Sequence, residues 1–281
     1  MGKFSDILLT VDFDRTLTAP DSTIPQRNLE AIEYFMAEGG AFTVNTGRSV
    51  PMYSGFLDVV PVNAPLLVYN GSAAYDVGRG EFAFCTTIDL DWRQTIRRCM
   101  ELFPDLVVEL QSTKAHYIFK EDELWKQFCI ANSCPWGYAG FEEELGPFLK
   151  FSVYGNFHGT TVAQLYEGTP EELARIDQVQ ETLEQEFGHS TQVFRAADRI
   201  VDVHAKGVGK GIAARRLQKE LGKKILVCAG DGKNDLGMLR EADFAYVPED
   251  AIIAGQFESV CKCADGSVAD VILKKITQIV R

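Results

Sequence analysis

Apolar residues along the chain gather in short runs rather than long stripes. β-forming residues concentrate at 7–11, 41–44, 66–69, 225–229 and 244–247. None of these runs alternates cleanly between apolar and polar positions, the pattern of strands buried on both faces of a parallel sheet. Helical spacing separates several of them. Pro25 followed by Leu29, Ile32, Phe35 and Met36, and then by Gly39-Gly40, carries both a start and a stop signal. Ala213, Leu217 and Leu221 recur at helical spacing and stop at Gly222. Strand, helix and strand in succession with parallel crossovers predict a doubly wound α/β core of Rossmann-like type.

Between about residues 85 and 203 the pattern changes. Candidate strands fall at 82–88, 106–110, 116–119, 149–154, 192–194 and 200–203, and helices at 91–103 and 169–187. Thr169 followed by Pro170 and Glu171-Glu172 reads as the capped, acidic start of the second helix. Strands and helices do not alternate one for one here. The expected organisation is therefore a core from residues 1–84 and 204–281 with an α+β cap domain, 85–203, inserted into it.

Composition narrows the field. The 281 residues are 46% hydrophobic and 24% charged with a net charge of −12, and no Lys/Arg cluster stands out. That balance speaks against nucleic acid or an anionic membrane as partner. Seven cysteines without a C-x-x-C pair speak against a disulfide framework or a zinc site. Asp6 and Asp12 interrupt the N-terminal region, no signal peptide is visible, and nowhere do about 18 apolar residues run together. The expected location is the cytoplasm.

Polar motifs follow the candidate core strands. Asp12 comes after the first, Thr46-Gly47-Arg48 after the second, Asn70-Gly71 after the third and Gly230-Asp231 after the fourth. Open α/β sheets bind ligands at that carboxyl edge, where loops converge on rigid strand ends. Asp12 and Asp14, two residues apart in Val11-Asp12-Phe13-Asp14-Arg15-Thr16-Leu17-Thr18, repel each other unless a cation or a shared proton intervenes. A second acidic cluster, Gly230-Asp231-Gly232-Lys233-Asn234-Asp235, falls on the same predicted edge. Two such clusters point to a hard cation held by oxygens, of which Mg²⁺ is the natural choice beside a phosphate.

Asp-x-Asp-x-Thr, Thr-Gly-Arg, Lys206-Gly207-Val208-Gly209-Lys210-Gly211 and Gly-Asp-x-x-Asn-Asp-Leu, in that order, resemble the haloacid dehalogenase (HAD) superfamily. The large insertion between the second and third motifs resembles its Cof-type phosphatases with a type IIB cap. Asn70-Gly71 and Asp265-Gly266 resemble that subgroup as well. The resemblance implies a Mg²⁺-dependent phosphatase that hydrolyses a small phosphorylated metabolite, a sugar phosphate as leading class, through a phosphoaspartate on Asp12. Asp14 would serve as acid and base. Asp12, the main-chain carbonyl of Asp14, and Asp231 would hold Mg²⁺, with Asn234 and Asp235 ordering the surroundings. Thr46 and Lys210 would bind the transferring phosphoryl group. Gly47, Arg48, Asn70 and Asn234 complete the expected substrate-binding set, and the cap would close over the site.

Two alternatives share this pattern: a phosphomutase of the same superfamily, similar to phosphomannomutases, and a non-catalytic regulator that binds a phosphorylated metabolite. Lys206 competes with Lys210 but is assigned to the hinge or to solvent, since Lys210 matches the family's lysine before the Gly that opens the helix. Arg48 stands between two roles, contacting substrate or pairing with an acidic neighbour. His204 is expected to be structural or exposed. Arg15 departs from the family, which usually has Gly there, and this puts the geometry of the turn in question.

Overall fold

The computed structural model describes residues 2–155 and 163–280. They form two compact units. The first comprises Met1–Arg48, Phe56–Phe84 and Gly209–Arg281, the second Ser49–Gly55 and Cys85–Val208. Along the chain come β1 (Ile7–Val11), β2 (Ala41–Val44), β3 (Leu66–Val68), β4 (Ala73–Asp76) and β5 (Glu81–Cys85). The long insertion carries β6 (Val107–Ser112), β7 (His116–Ile118), β8 (Trp136–Tyr138), β9 (Phe148–Tyr154), β10 (Thr191–Ala197) and β11 (Ile200–Ala205). β12 (Ile225–Ala229), β13 (Phe244–Pro248) and β14 (Glu258–Val260) return to the first unit. The helices used below are α1 (Gln26–Ala37), α2 (Val50–Tyr53), α3 (Trp92–Leu102), α4 (Glu123–Ala131), α5 (Pro170–Phe187) and α6 (Lys210–Glu220).

In the first unit five strands pair in parallel in the order β14-β13-β12-β1-β2. Every residue of β1 is buried, as its unbroken apolar run requires. Val11 is in register with Val44 on one side and Ala229 on the other. The residues that follow these three strands therefore leave the sheet at one level. β3 touches the sheet through a single parallel bridge, Asn45 to Leu67, and otherwise pairs antiparallel with β4 in a small separate sheet, β3-β4-β5. The run at 66–69 ends as a strand at Val68 because Tyr69 and Asn70 adopt φ of 52° and 53°. The run at 82–88, expected in the inserted region, is shortened to β5 and belongs to this small sheet.

The second unit is a six-stranded sheet in the order β10-β11-β9-β6-β7-β8, antiparallel except for the β7–β8 pair. Its register sorts the residues onto two faces. Val108, Leu110, Phe151, Val153, Val201 and Val203 form one core with Ile96 and Cys99 of α3 and Ile176, Val179 and Leu183 of α5. The opposite face is polar yet buried, with Glu109, Gln111, Lys150, Ser152, Asp202 and His204 in adjoining registers. α5 begins as read from the sequence: the Thr169 hydroxyl accepts from Glu172 N–H and the Glu172 carboxylate accepts from Thr169 N–H.

Three features of the insertion differ from the sequence reading. β11 runs on to Ala205 in register with β10, so the unit extends to Val208 rather than stopping at 203. Ser49–Gly55 packs with this unit. α4 and β8 were not expected: α4 is short and leaves Leu124 and Ile130 exposed, which blurs its apolar stripe.

Candidate active site

Asp12 leaves β1 in an extended conformation and lies 7% exposed. The chain then makes one wide helical turn, Phe13–Leu17, closed by Leu17 N–H to the Asp12 carbonyl at 3.2 Å. Arg15 sits inside that turn at φ 60°, ψ 10°, the left-handed region. A side chain there costs on the order of 1 kcal/mol, and Arg15 N–H recovers a hydrogen bond to the Thr18 hydroxyl at 3.2 Å. The backbone angles are thus of the glycine-favouring kind, and the turn nevertheless closes with arginine. Two distant residues brace it: the Ser267 hydroxyl donates to the Thr16 carbonyl at 2.7 Å and Asn28 Nδ2 to the Leu17 carbonyl at 2.9 Å. Asn28 Oδ1 in turn accepts from Ala269 N–H. Ser267 directly follows the Asp265-Gly266 pair singled out in the sequence.

Lys210 is the first residue of α6. Its carbonyl accepts from Asn45 Nδ2 at 2.9 Å. A Cβ on Gly71 would stand 2.5 Å from the Gly209 carbonyl oxygen, so only glycine lets the 69–71 segment lie against the start of that helix. So placed, Lys210 Nζ donates to Asp12 Oδ1 at 2.5 Å and to Asp235 Oδ1 at 2.6 Å. Asp235 Oδ2 accepts from the N–H groups of Asp231 and Gly232 at 3.0 and 2.9 Å. Gly230 is required by the same packing, since a Cβ there would meet Asp235 Cβ at 2.6 Å. The sequence signal for Asn45 is an Asn set between the apolar run 41–44 and Thr46.

Carboxylate oxygens of Asp12, Asp231 and Asp235 lie within 4.8 Å of one another, and all three residues are buried. Burial, with Asp235 alongside, pushes the Asp12 carboxyl up to about 7. Burial and the neighbouring Asp12 raise Asp231 well above the usual carboxylate range. Burial works against a charged Lys210, but Asp12 and Asp235 outweigh it and hold the ammonium above its ordinary value. The group therefore gathers more negative charge than Lys210 offsets. Asp231 Oδ2 is buried and accepts no hydrogen bond; the Arg15 Nε lies 3.6 Å away, an ion-pair separation.

Asp14 faces differently. Its carboxylate takes both prongs of Arg48, Nε at 2.9 Å and Nη2 at 2.7 Å. Of the two roles open to Arg48, pairing with an acidic neighbour is the one seen, and its guanidinium also lies over the rings of Phe13 and Phe56. The Thr46 hydroxyl accepts from Arg48 N–H at 3.1 Å, and Asn70 N–H donates to the Thr46 carbonyl at 3.0 Å. Asn70 packs on Gly47, where a Cβ would come within 2.9 Å of its Oδ1. Asn234 is half-buried in the loop beside Gly232. Outside the group, Lys206 is exposed and donates to the carbonyls of Gly188 and His189, and His204 is buried in the second unit's sheet.

A model of the haloacid dehalogenase-like hydrolase family matches residues 9–253. An HMP-PP phosphatase of Serratia proteamaculans is 24% identical over 277 residues, covering 93% of this chain and 92% of that protein. The 5-amino-6-(5-phospho-D-ribitylamino)uracil phosphatase YbjI of Escherichia coli is 24% identical over 276 residues, with 95% of both chains covered. Among solved structures, the HAD subclass IIB sugar phosphatase BT4131 superposes with a TM-score of 0.76 at 18% identity, over 98% of this chain and 99% of its own. That last likeness is one of fold. Among the described residues no helix is long and apolar enough to cross a membrane.

Proposed function

The chain belongs to the haloacid dehalogenase-like hydrolase family, as a phosphoric monoester hydrolase of the Cof type, and on that premise we propose that it cleaves a small phosphorylated metabolite through a phosphoaspartate on Asp12. The observation that carries the reading is the grip of Lys210 on Asp12 Oδ1 inside a buried group of three carboxylates. Held in this way, the Asp12 carboxylate is aimed rather than free to rotate, which is what in-line attack needs.

The carboxylate group fits a hard divalent cation: its donors are oxygens, its charge is in excess, and Asp231 Oδ2 is buried with no hydrogen bond. Asp12, Asp231 and the main-chain carbonyl of Asp14 would hold Mg²⁺, with Asp235 and Asn234 ordering the loop around it. The ion supplies screening of the phosphate's charge as an anionic nucleophile approaches. In the first step an Asp12 oxygen attacks phosphorus, and the bond from phosphorus to the ester oxygen breaks. Asp14, once turned from Arg48 and protonated from solvent, would give that proton to the departing alkoxide; paired with Arg48 as here, it is held as a carboxylate. Water then attacks the acyl phosphate while Asp14 takes back a proton, releasing phosphate and restoring Asp12. Thr46 and Lys210 bear on the phosphoryl oxygens, where positioning and charge supply most of the rate.

Sugar and polyol phosphates are the leading substrate class. The phosphorylated ribityl group in the name of the Escherichia coli relative is of that kind, and supports testing it first. The decisive measurement is phosphate release from a panel of phosphorylated sugars, nucleotides and cofactors, with Mg²⁺ or with EDTA. Turnover should require Mg²⁺ and vanish in Asp12→Asn. Undiminished turnover in that variant would remove Asp12 as nucleophile, and equal turnover in EDTA would remove the metal.

A further inference from the structure

The edge of the second unit's sheet is made by a parallel crossover: β7, then α4, then β8. His116 opens β7, Cys129 lies in the last turn of α4, and Cys134 stands two residues before β8. Folding brings the three together. One ring nitrogen of His116 and the sulfurs of Cys129 and Cys134 all lie within 4.8 Å of one another, and all three residues are buried.

The surroundings are not those of idle thiols. His116 Nδ1 is 2.6 Å from Glu109 Oε1, and Nε2 is 3.0 Å from the Ser49 hydroxyl. Glu109 Oε2 accepts from the Tyr154 hydroxyl at 2.6 Å and from Gln111 Nε2 at 3.0 Å. Two buried cysteines alone would pass as small hydrophobes beside Trp125, Phe128 and Trp136. That account leaves unexplained why a carboxylate–imidazole pair, costly to desolvate, is buried against them. A histidine whose second nitrogen is held by a carboxylate or hydroxyl is the usual support of a metal ligand.

We propose that His116, Cys129 and Cys134 bind a thiophilic transition-metal ion of the Zn²⁺ class, which staples the β7–α4–β8 crossover. Two sulfurs and one imidazole are a soft donor set, unlike the all-oxygen group at Asp12, so the two sites select different metals. Either ring nitrogen can serve. If Nδ1 turns to the metal, Glu109 supplies the fourth ligand and Ser49 keeps Nε2. If Nε2 does, Ser49 or water stands fourth and Glu109 keeps Nδ1. Binding breaks two S–H bonds, forms two metal–sulfur bonds and releases two protons to solvent. Without the ion the Cys129 thiol stays protonated, held so by the neighbouring Cys134 and by burial.

The test uses the full-length protein, refolded under reducing conditions with one equivalent of Co²⁺ as a visible probe. The site predicts a thiolate-to-cobalt charge-transfer band with intense tetrahedral ligand-field bands. Zn²⁺ should bleach both and raise the melting temperature. The double substitution Cys129→Ser with Cys134→Ser should abolish the bands, whereas Asp231→Asn, which touches only the oxygen site, should leave them. No charge-transfer band in wild type would overturn the proposal whether or not the double variant folds. So would bands that survive that double substitution, or a Cys129–Cys134 disulfide with no bound metal in protein isolated from cells.

Discussion

Asp12 in the first unit and Asp202 in the second are both buried carboxylates reached by a lysine, at 2.5 Å from Lys210 and 2.9 Å from Lys150. Their ionisation goes opposite ways. Asp12 is pushed up to about 7, whereas Asp202 lies far below its usual range. Burial raises both, so the partners decide. Lys210 is shared between Asp12 and Asp235, with Asp231 close by. Asp202 has Lys150 at hand, accepts from the Ser152 hydroxyl at 2.7 Å and has His204 beside it. One region is left with surplus negative charge and the other is balanced internally. A buried acid thus marks a reactive or cation-binding place when its compensation is incomplete, and a structural one when it is complete.

The largest test of that contrast is Asp12→Asn. It should cut phosphate release from an aryl phosphate about 10,000-fold or more, while the melting temperature of metal-free protein stays level or rises because surplus charge is removed. A fall in melting temperature would place Asp12 with the structural acids. Next in size, Asp202→Asn should lower unfolding free energy in urea by about 3–5 kcal/mol at pH 7, because Lys150 is left buried opposite a neutral amide. A cost under about 1 kcal/mol would mean that the pair is not compensated as described. The same variant carries a pH signature. The folded pKa of Asp202 is depressed by Lys150, His204 and Ser152 against burial, so its contribution is complete above the ordinary value of 3.8 and drains away as pH falls further. The Asp202 share of the gap between wild type and Asp202→Asn should therefore hold down to about pH 4 and narrow below it. His204, whose protonation Asp202 favours against burial, widens the gap where the imidazole titrates. Smallest is Arg15→Gly, which trades the strained left-handed arginine for glycine and takes a positive charge from beside Asp231. Stability should move by less than about 1 kcal/mol, and calorimetry should find Mg²⁺ bound a few-fold more tightly.

β1, β2 and β12 were legible because each is a largely buried apolar run with its polar motif at the carboxyl end, as in Val11-Asp12 and Ala229-Gly230-Asp231, whereas the mostly exposed β14 carries no such run. The residues those motifs contain could be named, and the structure brings Asp12, Lys210, Asp231 and Asp235 into one hydrogen-bonded group. What escaped were contacts with no local period. Asn45 meets the Lys210 carbonyl across 165 positions, whereas for Arg48 pairing with an acidic neighbour was open and only its partner, Asp14 across 34 positions, went unnamed. α4 and β8 escaped for a related reason: both are short, and α4 shows apolar residues to solvent. With them went the convergence of His116 on Cys129 and Cys134, which exists only once the crossover has folded.

The turn that follows Asp12 is braced by Ser267 and Asn28, and β1 is flanked on one side by β12. A ribosome makes β1 and Asn28 well before β12 and Ser267. During synthesis the insertion, Cys85–Val208, has emerged whole while Asp12 still lacks β12 and the Ser267 brace. The growing chain therefore carries Asp12 on an unbraced turn while the insertion is made, and that turn is set only once Ser267 has emerged.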